Sequence, residues 1–454
     1  MALKSINPTT EEVIAEYKEL TKEQIDQKIV TAQSTFESWR KTSFSQRAEL
    51  LTKLANILKD EARPLGEIMT KEMGKPITQA IAESEKCALA CEYYAQNAEK
   101  FLAPEKIDTD AGESFVRFDP IGIVLAVMPW NFPFWQVLRF AAPTVMAGNV
   151  GLLKHASNVQ GSAIKIEEIF ELAGFPKGVF QNLAIGSSKV EPIIRDERIK
   201  AITLTGSEPA GMAVAKVAGE EIKKTVMELG GSDPFIVLED ADIPNACEVA
   251  TTARNINNGQ SCIAAKRFII VKSVADKFTQ LFKERFEAMI IGDPMLDETN
   301  IGPIATKQGL EELQRQIQQS VDEGAEIVTG GKQVGDKGYF LQPTILDKVK
   351  KGVPAYSEEL FGPVASVIVV ENEAEAIAVA NDTDFGLGAS VWTADIDRAK
   401  KIIPQINSGA VFVNGLVKSD PRMPFGGEKR SGYGRELSHY GLKEFVNIKS
   451  VWIK

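Results

Sequence analysis

The sequence predicts a mixed α/β protein with two α/β domains, each built on a parallel sheet. Three observations lead to this prediction. The chain has 454 residues, more than one hydrophobic core usually supports. Apolar residues recur at helical spacing through residues 22–102. From residue 132 onwards, helical segments alternate with short β-branched ones, as they do in a doubly wound sheet.

The first alternating series follows "ESFVRFDPIGIVLAVMPW", whose β-branched residues predict strands. "APTVMAGN" then predicts a helix that ends near Gly148, and "SAIKIEEIFELAG" predicts one that Gly174 caps. The later helices of this series are "KVEPIIRDERI" and "PAGMAVAKVAGEEI". The strands between the helices are "VGLLKHAS", "VFQNLAIG", "KAITLTGS" and "KKTVMELGG".

A second series follows Cys262. It begins with the strand "AKRFIIVKS" and a helix near "DKFTQLFKERFEAM", and it continues through "GAEIVTGG", "PTILDKV", "ASVIVVEN", "EAIAVAND", "GASVWTA" and "SGAVFVNG". The chain ends in "EFVNIKSVWIK", an apolar strand that would be an aggregation hazard if it stayed unpaired at a sheet edge. We expect this strand to pack on a partner subunit.

Composition and charge argue against several classes of function. A net charge of −10 argues against a nucleic-acid-binding protein, which needs a basic surface. The apolar residues 121–138 approach the length of a membrane span, but Pro129 and Pro133 in their middle favour a buried strand that runs into a loop and a helix. The first twenty residues lack the apolar region of a secretory signal, so we expect a cytoplasmic protein.

The cysteine and histidine counts restrict the chemistry. The four cysteines include no CxxC pair and no zinc-site spacing, so we expect no metal. Only His155 and His439 are present, which argues against a Ser/His/Asp hydrolase and against a His-rich metal centre. Any catalytic base is therefore expected to be a carboxylate or a lysine.

Cys262 lies in "NNGQSCIAAKR", residues 257–267, and has the most suggestive surroundings of the four cysteines. The residues before it are loop-like, and Lys266 and Arg267 follow it closely. A thiol near a helix N-terminus and beside cations has a depressed pKa and is reactive. The alternative is a packed core thiol, the usual state of an isolated cysteine. The segment alone leaves both interpretations open.

Three further features have a functional and a structural interpretation. Glu228 ends an apolar strand before two glycines, where a carboxylate acts as a general base or as a paired structural acid. Lys154 lies at the end of a predicted parallel strand. Doubly wound sheets bind ligands at this end, so Lys154 either binds a ligand or is a solvated lysine. The turn "TLTGSEPAG", residues 203–211, favours an anion at a helix N-terminus, although its glycine spacing matches neither G-x-G-x-x-G nor a P-loop.

Nine segments follow one another along the chain: "MPWNFPFWQ", "LLKHAS", "LTGS", "MELGGSDPFIV", "NNGQSCIAAKRF", "EELFGPV", "FGLGASVWT", "PFGGEKRSGYGRE" and the terminal strand. This ordered set resembles the aldehyde dehydrogenase superfamily over essentially the whole length. "LKHASN" and "KSDPR" are most similar to succinate-semialdehyde dehydrogenases of a short bacterial type.

The resemblance implies the aldehyde dehydrogenase fold, which has three parts. They are a Rossmann-like cofactor domain (residues 1–105 and 123–229), a second α/β catalytic domain (230–430) and a small β oligomerisation element (106–122 and 431–454). The same resemblance implies a homodimer or a dimer of dimers.

The resemblance also implies a catalytic role for Cys262, Glu228, Asn131 and Glu436. The Cys262 thiolate would attack the aldehyde carbon and form a thiohemiacetal. The Asn131 amide and the Cys262 backbone N–H would form the oxyanion hole. Hydride transfer to the nicotinamide would leave a thioester, and Glu228 would activate the water that hydrolyses it. Glu436 would assist proton transfer.

For the cofactor, the resemblance assigns Lys154 and Glu359 to a ribose and Phe361 to the nicotinamide end. Many NAD-preferring relatives carry glutamate three residues after the strand lysine, where this chain has Ser157. A serine can hydrogen-bond a 2′-phosphate that a carboxylate would repel, so we expect NADP to be preferred and NAD to be used less well. The other residues assigned to the cofactor cleft are Pro129, Trp130, Thr205, Gly206, Ser207, Glu228, Leu229 and Gly230.

For the substrate, the resemblance assigns a carboxylate to Arg139 and Ser419. The structural alternative for Arg139 is an ion pair on a helix surface. A second family arginine, six residues before the nucleophile, is replaced here by Ile256. Arg422 is the candidate to compensate for it.

Trp135 and Phe132 are expected to form the apolar walls of a small pocket. The implied reaction is NADP-linked oxidation of succinate semialdehyde, a small carboxylated aldehyde. The alternatives within enzymes are glutarate semialdehyde or an uncharged aliphatic aldehyde as substrate, and a CoA-acylating reaction. The alternative outside enzymes is a non-catalytic binding protein on the same fold.

Overall fold

The computed structural model describes residues 3–454. The strands are β1 (Leu3–Ile6), β2 (Val13–Tyr17), β3 (Glu105–Lys106), β4 (Glu113–Pro120), β5 (Ile123–Met128), β6 (Val150–His155), β7 (Phe180–Asn182), β8 (Ile199–Thr205), β9 (Lys224–Glu228), β10 (Pro234–Val237), β11 (Arg267–Val271), β12 (Glu326–Thr329), β13 (Thr344–Asp347), β14 (Val364–Val370), β15 (Gly388–Trp392), β16 (Ala410–Val413), β17 (Gly432–Tyr433) and β18 (Val446–Ile453). The helices are α1 (Lys22–Trp39), α2 (Phe44–Asp60), α3 (Ala62–Met73), α4 (Ile77–Phe101), α5 (Trp135–Met146), α6 (Gln160–Leu172), α7 (Val190–Ile194), α8 (Glu208–Glu220), α9 (Ile243–Asn255), α10 (Lys272–Glu287), α11 (Lys307–Asp322), α12 (Pro354–Ser357), α13 (Glu373–Asn381), α14 (Ile396–Ile402) and α15 (Ser438–Glu444).

The helical pattern predicted through residues 22–102 corresponds to α1, α2, α3 and α4. Capping boxes start the first two helices: Thr21 with Gln24, and Ser43 with Gln46. The left-handed Gly74 ends α3. These helices bury their apolar stripes in one core together with the strands of the first large sheet.

The first large sheet has six strands in the order β17-β9-β8-β5-β6-β7. Neighbouring strands from β9 to β7 are parallel, and β17 is antiparallel to β9. The earliest strand, β5, lies in the interior, so the chain order reverses between β5 and β8. In a Rossmann-like sheet a ligand crevice forms outside the carboxyl ends of the strands at this reversal. The predicted doubly wound sheet is thus confirmed.

The second large sheet has seven strands in the order β12-β13-β14-β11-β10-β15-β16. Only its edge strand β12 is antiparallel to its neighbour. Every residue of β11 is buried, because separate hydrophobic clusters cover the two faces of the sheet. This confirms the predicted second α/β unit.

The terminal strand β18 pairs antiparallel with β4 along its whole length, from Val446 opposite Pro120 to Ile453 opposite Glu113. Its pairing partner is therefore a strand of the same chain, which the sequence analysis did not anticipate. In the resulting sheet, β18-β4-β3, one edge of β18 stays open. Packing of this edge on another subunit stays a prediction, as do the limits of the three domains. Residues 1 and 2 of the predicted cofactor domain lie outside the described residues.

Several elements differ from the sequence prediction. The antiparallel pair β1–β2, the strand β10 and the helices α9, α11, α12, α14 and α15 were not predicted. The helix predicted for "KVEPIIRDERI" stops at Ile194, because the Asp196 carboxylate accepts the backbone N–H of Arg198 and forms a turn. Within residues 3–454, no helix has the length and apolar character that a membrane crossing requires.

Candidate active site

A left-handed turn precedes Cys262. Asn257, Asn258 and Gly259 have φ values of 57°, 56° and 71°. Asparagine tolerates this region better than most L residues. At Gly259 a Cβ atom would lie 2.3 Å from the carbonyl carbon of Gly362, so only glycine fits. The letters "NNG" therefore specify the turn that brings Cys262 to the site.

Side chains hold this turn in place. The Asn257 amide donates to the carbonyl oxygens of Asn131 (2.7 Å) and Gln260 (2.9 Å). The buried Lys266 ammonium donates to the carbonyl oxygen of Cys262 at 2.7 Å. Left-handed non-glycine residues cost about 1–3 kcal/mol each, so they persist only where such contacts over-determine the backbone.

Two cavities meet at Cys262. The first, the cofactor cleft, has a volume of about 290 Å³ and is lined by Pro129, Trp130, Asn131, Thr205, Gly206, Ser207, Leu229, Gly230, Cys262, Glu359 and Phe361. The second, the substrate cavity, measures about 200 Å³, and its lining includes Phe132, Trp135, Arg139, Ile256, Cys262 and Ser419. Cys262 is the one residue that lines both, so ligands bound in the two cavities would meet at this residue.

The cofactor cleft lies at the carboxyl ends of β5, β8 and β9, where the strand order predicts a ligand. It collects all the residues predicted for it except Lys154, Ser157 and Glu228. Lys154 is buried at the end of β6, and its side-chain ammonium makes no ion pair or hydrogen bond with residues 3–454. We expect a buried ammonium group that has no acceptor in the protein to bind an anionic or hydroxyl-bearing ligand. Ser157 lies exposed in the turn after β6.

The thiol of Cys262 differs from the sequence prediction. Burial raises its pKa to about 12, although Lys266 and Arg139 act in the opposite direction. Of the two interpretations that the segment left open, the depressed pKa is not found: Cys262 is desolvated, and it does not begin a helix because its loop leads into β11. Arg267 does not help, since its guanidinium donates to backbone carbonyls of other segments.

A hydrogen bond to Gln260 links Asn131 to the loop that carries Cys262. The Asn131 side-chain amide donates to the Gln260 carbonyl oxygen at 3.1 Å, two residues before the thiol. The backbone N–H of Cys262 has no acceptor within residues 3–454. Donors placed in this way suit an oxyanion hole, which stays a prediction.

Glu228 and Glu436 form a buried carboxylate pair with Arg139. Glu228 is 2% exposed, neither of its carboxylate oxygens has a hydrogen-bond partner in the described chain, and it lines neither cavity. Burial, and then the charge of Glu436, raise the pKa of Glu228 well above its usual value. Arg139 is ion-paired with Glu436, with side-chain exposures of 1% and 6%. The predicted roles of both carboxylates stay predictions.

The substrate cavity includes every residue predicted for it except Arg422. That guanidinium is exposed and pairs with Asp420 at 2.7 Å, so the expectation that it replaces the missing arginine at Ile256 is wrong. Arg139 lines the cavity, and its ion pair is buried rather than on a helix surface.

Sequence reasoning missed Lys86 altogether, and it missed the ion pair that Lys266 makes with Glu359. Lys86 lines the substrate cavity from α4, beside the buried stripe that includes Glu83 and Cys87. Lys266 lies 3.2 Å from the Glu359 carboxylate and so links the cofactor cleft to the nucleophile loop. A lysine next to a buried helical stripe was the only sequence signal for Lys86.

No group of three or more His, Cys, Asp or Glu side chains within residues 3–454 is arranged to hold a metal ion.

Comparisons with known proteins agree with this site. The model of the aldehyde dehydrogenase family matches residues 1–451. A probable succinate-semialdehyde dehydrogenase [NADP(+)] of Synechocystis sp. is 53% identical over 453 residues, covering all of both chains. Succinate-semialdehyde dehydrogenase [NADP(+)] 1 of Mycobacterium tuberculosis is 49% identical over 456 residues, again at full coverage of both.

Among solved structures, the succinic semialdehyde dehydrogenase from Streptococcus pyogenes in complex with NADP+ matches with a TM-score of 0.98. It is 39% identical, and the match covers 100% of both chains. The family match, the full-length relatives and this structural likeness lead to one conclusion: the chain belongs to the aldehyde dehydrogenase family.

Proposed function

We propose that this protein oxidises succinate semialdehyde to succinate, with NADP as the preferred cofactor and NAD as a poorer one. The observation that carries the proposal is the position of Cys262 between a nucleotide-sized cleft and a small cavity with cationic and apolar walls. The names of the full-length relatives support the choice of substrate and cofactor.

Residues of this chain carry out the steps before and after hydride transfer. The thiol of Cys262 gives its proton to solvent water, and the sulfur adds to the aldehyde carbon to form a thiohemiacetal. The Asn131 amide and the Cys262 backbone N–H stabilise the oxyanion. Trp130, Glu359 and Phe361, which line the cofactor cleft, would hold NADP, which would supply the hydride acceptor. Loss of hydride from the former aldehyde carbon leaves a thioester on Cys262.

Hydrolysis completes the cycle. Glu228 accepts a proton from water, the hydroxide adds to the thioester carbonyl, and the sulfur leaves as a thiol or thiolate while the carboxylate product forms. A raised pKa suits a base that works near neutral pH. Glu436 relays the proton from Glu228, its buried neighbour.

Cofactor preference follows from the end of β6. Lys154 brings a positive charge, and Ser157 brings a hydroxyl where a carboxylate would repel a 2′-phosphate. The carboxylate of Glu359, which lines the cleft, binds a ribose hydroxyl. Phe361 packs at the nicotinamide end.

We also propose that the protein works in the cytoplasm as a homodimer or a dimer of dimers. The open edge of β18 exposes Ile448, Trp452 and Ile453, which suits burial against a second copy. All four cysteines are free thiols, as a reducing compartment favours. Sedimentation velocity tests the assembly: a monomer at micromolar concentration contradicts it.

Activity assays test the proposed reaction. Purified enzyme is offered succinate semialdehyde, glutarate semialdehyde and butanal with each cofactor, with and without CoA, and Cys262→Ala serves as the inactive control. We expect the highest kcat/KM for succinate semialdehyde with NADP and free succinate as product. A higher kcat/KM for butanal, or an acyl-CoA product, contradicts the proposal.

A further inference from the structure

The substrate cavity contains more than one cation, and their charges are not equally available. Arg139 is ion-paired with Glu436, and its guanidinium also faces the Phe425 ring at 4.5 Å. Glu83, the carboxylate on the cavity wall, is ion-paired with the buried Lys75. These two pairs are neutral overall. A substrate carboxylate therefore needs another cation for its charge to be balanced.

Two lysines that line the cavity, Lys86 and Lys418, make no ion pair with residues 3–454, and Lys86 is the less exposed of the two. The Lys86 ammonium lies 4.2 Å from the centre of the Trp135 ring and donates to the Ser419 hydroxyl at 2.8 Å. Lysine has three N–H donors, so the ammonium keeps donor capacity for a ligand besides the one N–H that Ser419 accepts. Because Ser419 accepts from Lys86, its own proton is available for a second donation.

We propose that Lys86 binds the carboxylate of the substrate directly, with the Ser419 hydroxyl as second donor. The inference rests on the proposed function and names the residue that selects a carboxylated aldehyde. Ile256, on the wall of the same cavity, provides no charge, and Arg422 lies outside. Lys86 thus takes the role that the sequence analysis had assigned to Arg422.

The burial of Lys86 gives this assignment a pH dependence. Burial, and then the charge of Arg139, lower the pKa of Lys86 to about 8. The other charged groups near it are Glu83, Asp420 and the Cys87 thiol, which raise its pKa. Binding of a carboxylate through Lys86 therefore weakens as the pH rises through about 8, because the ammonium loses its proton.

The test compares Lys86→Met, Lys86→Arg and Lys418→Met. Methionine keeps an apolar stem over Trp135, arginine keeps the charge, and Lys418 supplies a matched control because it is an exposed lysine on the rim of the same cavity. KM and kcat are measured for succinate semialdehyde and for butanal, and the Kd for succinate by calorimetry.

We expect Lys86→Met to raise the KM for succinate semialdehyde and the Kd for succinate by about 10- to 100-fold, the usual effect of a lost charged hydrogen bond. The change in KM for butanal should be several-fold smaller. In Lys86→Arg, the KM for succinate semialdehyde and the Kd for succinate should return most of the way to the wild-type values. In Lys418→Met, both constants should rise far less than in Lys86→Met. The rise in KM for succinate semialdehyde between pH 7 and 9 should disappear in Lys86→Arg.

Two outcomes overturn the assignment. One is a KM for succinate semialdehyde in Lys86→Met within twofold of the wild type. The other is an equal loss for both aldehydes, which would make Lys86 a structural residue. Failure of the wild type to oxidise succinate semialdehyde would instead overturn the proposed function, so the two failures are distinguishable.

Discussion

The guanidinium of Arg139 is ion-paired with the carboxylate of Glu436 in the interior of the protein. Glu436 in turn raises the pKa of Glu228, and Arg139 lowers it. Arg139 faces the substrate cavity from one side of this arrangement, and Glu228 ends β9 on the other. The charges of Arg139, Glu228 and Glu436, which have different proposed roles, therefore depend on one another.

Replacing Glu436 with glutamine should shift the pH dependence of thioester hydrolysis. Loss of the negative charge lowers the pKa of Glu228, so the base stays ionised at lower pH and the acidic limb moves to lower pH. Single-turnover hydrolysis of the preformed acyl-enzyme across pH 5–8 measures this limb. Glu428→Gln, at an exposed position, is the control. An acidic limb at unchanged or higher pH would contradict the coupling.

Replacing Glu228 with glutamine should stabilise the fold at alkaline pH. The pKa of Glu228 is raised in the folded state. Its contribution to the free energy of unfolding is therefore fully present below the ordinary pKa of the unfolded chain, and it is lost as the pH rises and the buried carboxyl group ionises. We therefore expect Glu228→Gln and the wild type to be alike near pH 4.5. At pH 8 the variant should have a free energy of unfolding higher by about 1–3 kcal/mol. Urea denaturation at both pH values measures this, and a variant less stable at pH 8 would refute it.

Alkylation should report the raised pKa of the nucleophile. With a pKa of about 12, Cys262 in the cofactor-free enzyme should react with iodoacetamide at pH 8 at least about tenfold more slowly than a free thiol. The rate should keep rising up to pH 10 without a plateau. The native chain should label once, because Cys87, Cys91 and Cys247 are buried. A plateau near pH 8 would show that the cations outweigh burial.

Replacing Ser157 with glutamate should reverse the cofactor preference. A carboxylate at this position repels the 2′-phosphate and can bind a ribose hydroxyl. We expect kcat/KM for NADP to fall by about 10- to 100-fold, while that for NAD is maintained or improved. Ser273→Glu adds the same charge at an exposed site near the other sheet and serves as control. An unchanged ratio of the two kcat/KM values would remove Ser157 from cofactor selection.

The sequence predicted the alternating core well, because that core follows from short-range patterns, whereas the residues of the cofactor cleft were assigned from the resemblance to the aldehyde dehydrogenase superfamily. Buried β-branched runs and the letters "NNG" encode local conformation directly. The position of Glu359 opposite Lys266 depends on the packing of distant segments, which no local pattern encodes.

Desolvation, an unrecognised ion pair and a contact between distant segments explain the errors of the sequence prediction. Lys266 is close to Cys262 in sequence and was expected to lower the pKa of the thiol below its ordinary value, but desolvation is the larger effect. Arg422 looked available because its partner Asp420, two residues away, was not recognised. Lys86 stands in a helix of ordinary composition, and only the fold brings it to Ser419.

Trapping of the acyl-enzyme tests the central claim, that Cys262 forms the covalent intermediate and Glu228 releases it. Glu228→Gln enzyme is mixed with succinate semialdehyde and NADP, quenched in acid and examined by peptide mass spectrometry. The account predicts one burst of NADPH per active site and a succinyl group on the peptide that contains Cys262. A burst without an adduct on this peptide, or steady turnover at the wild-type rate, would contradict it.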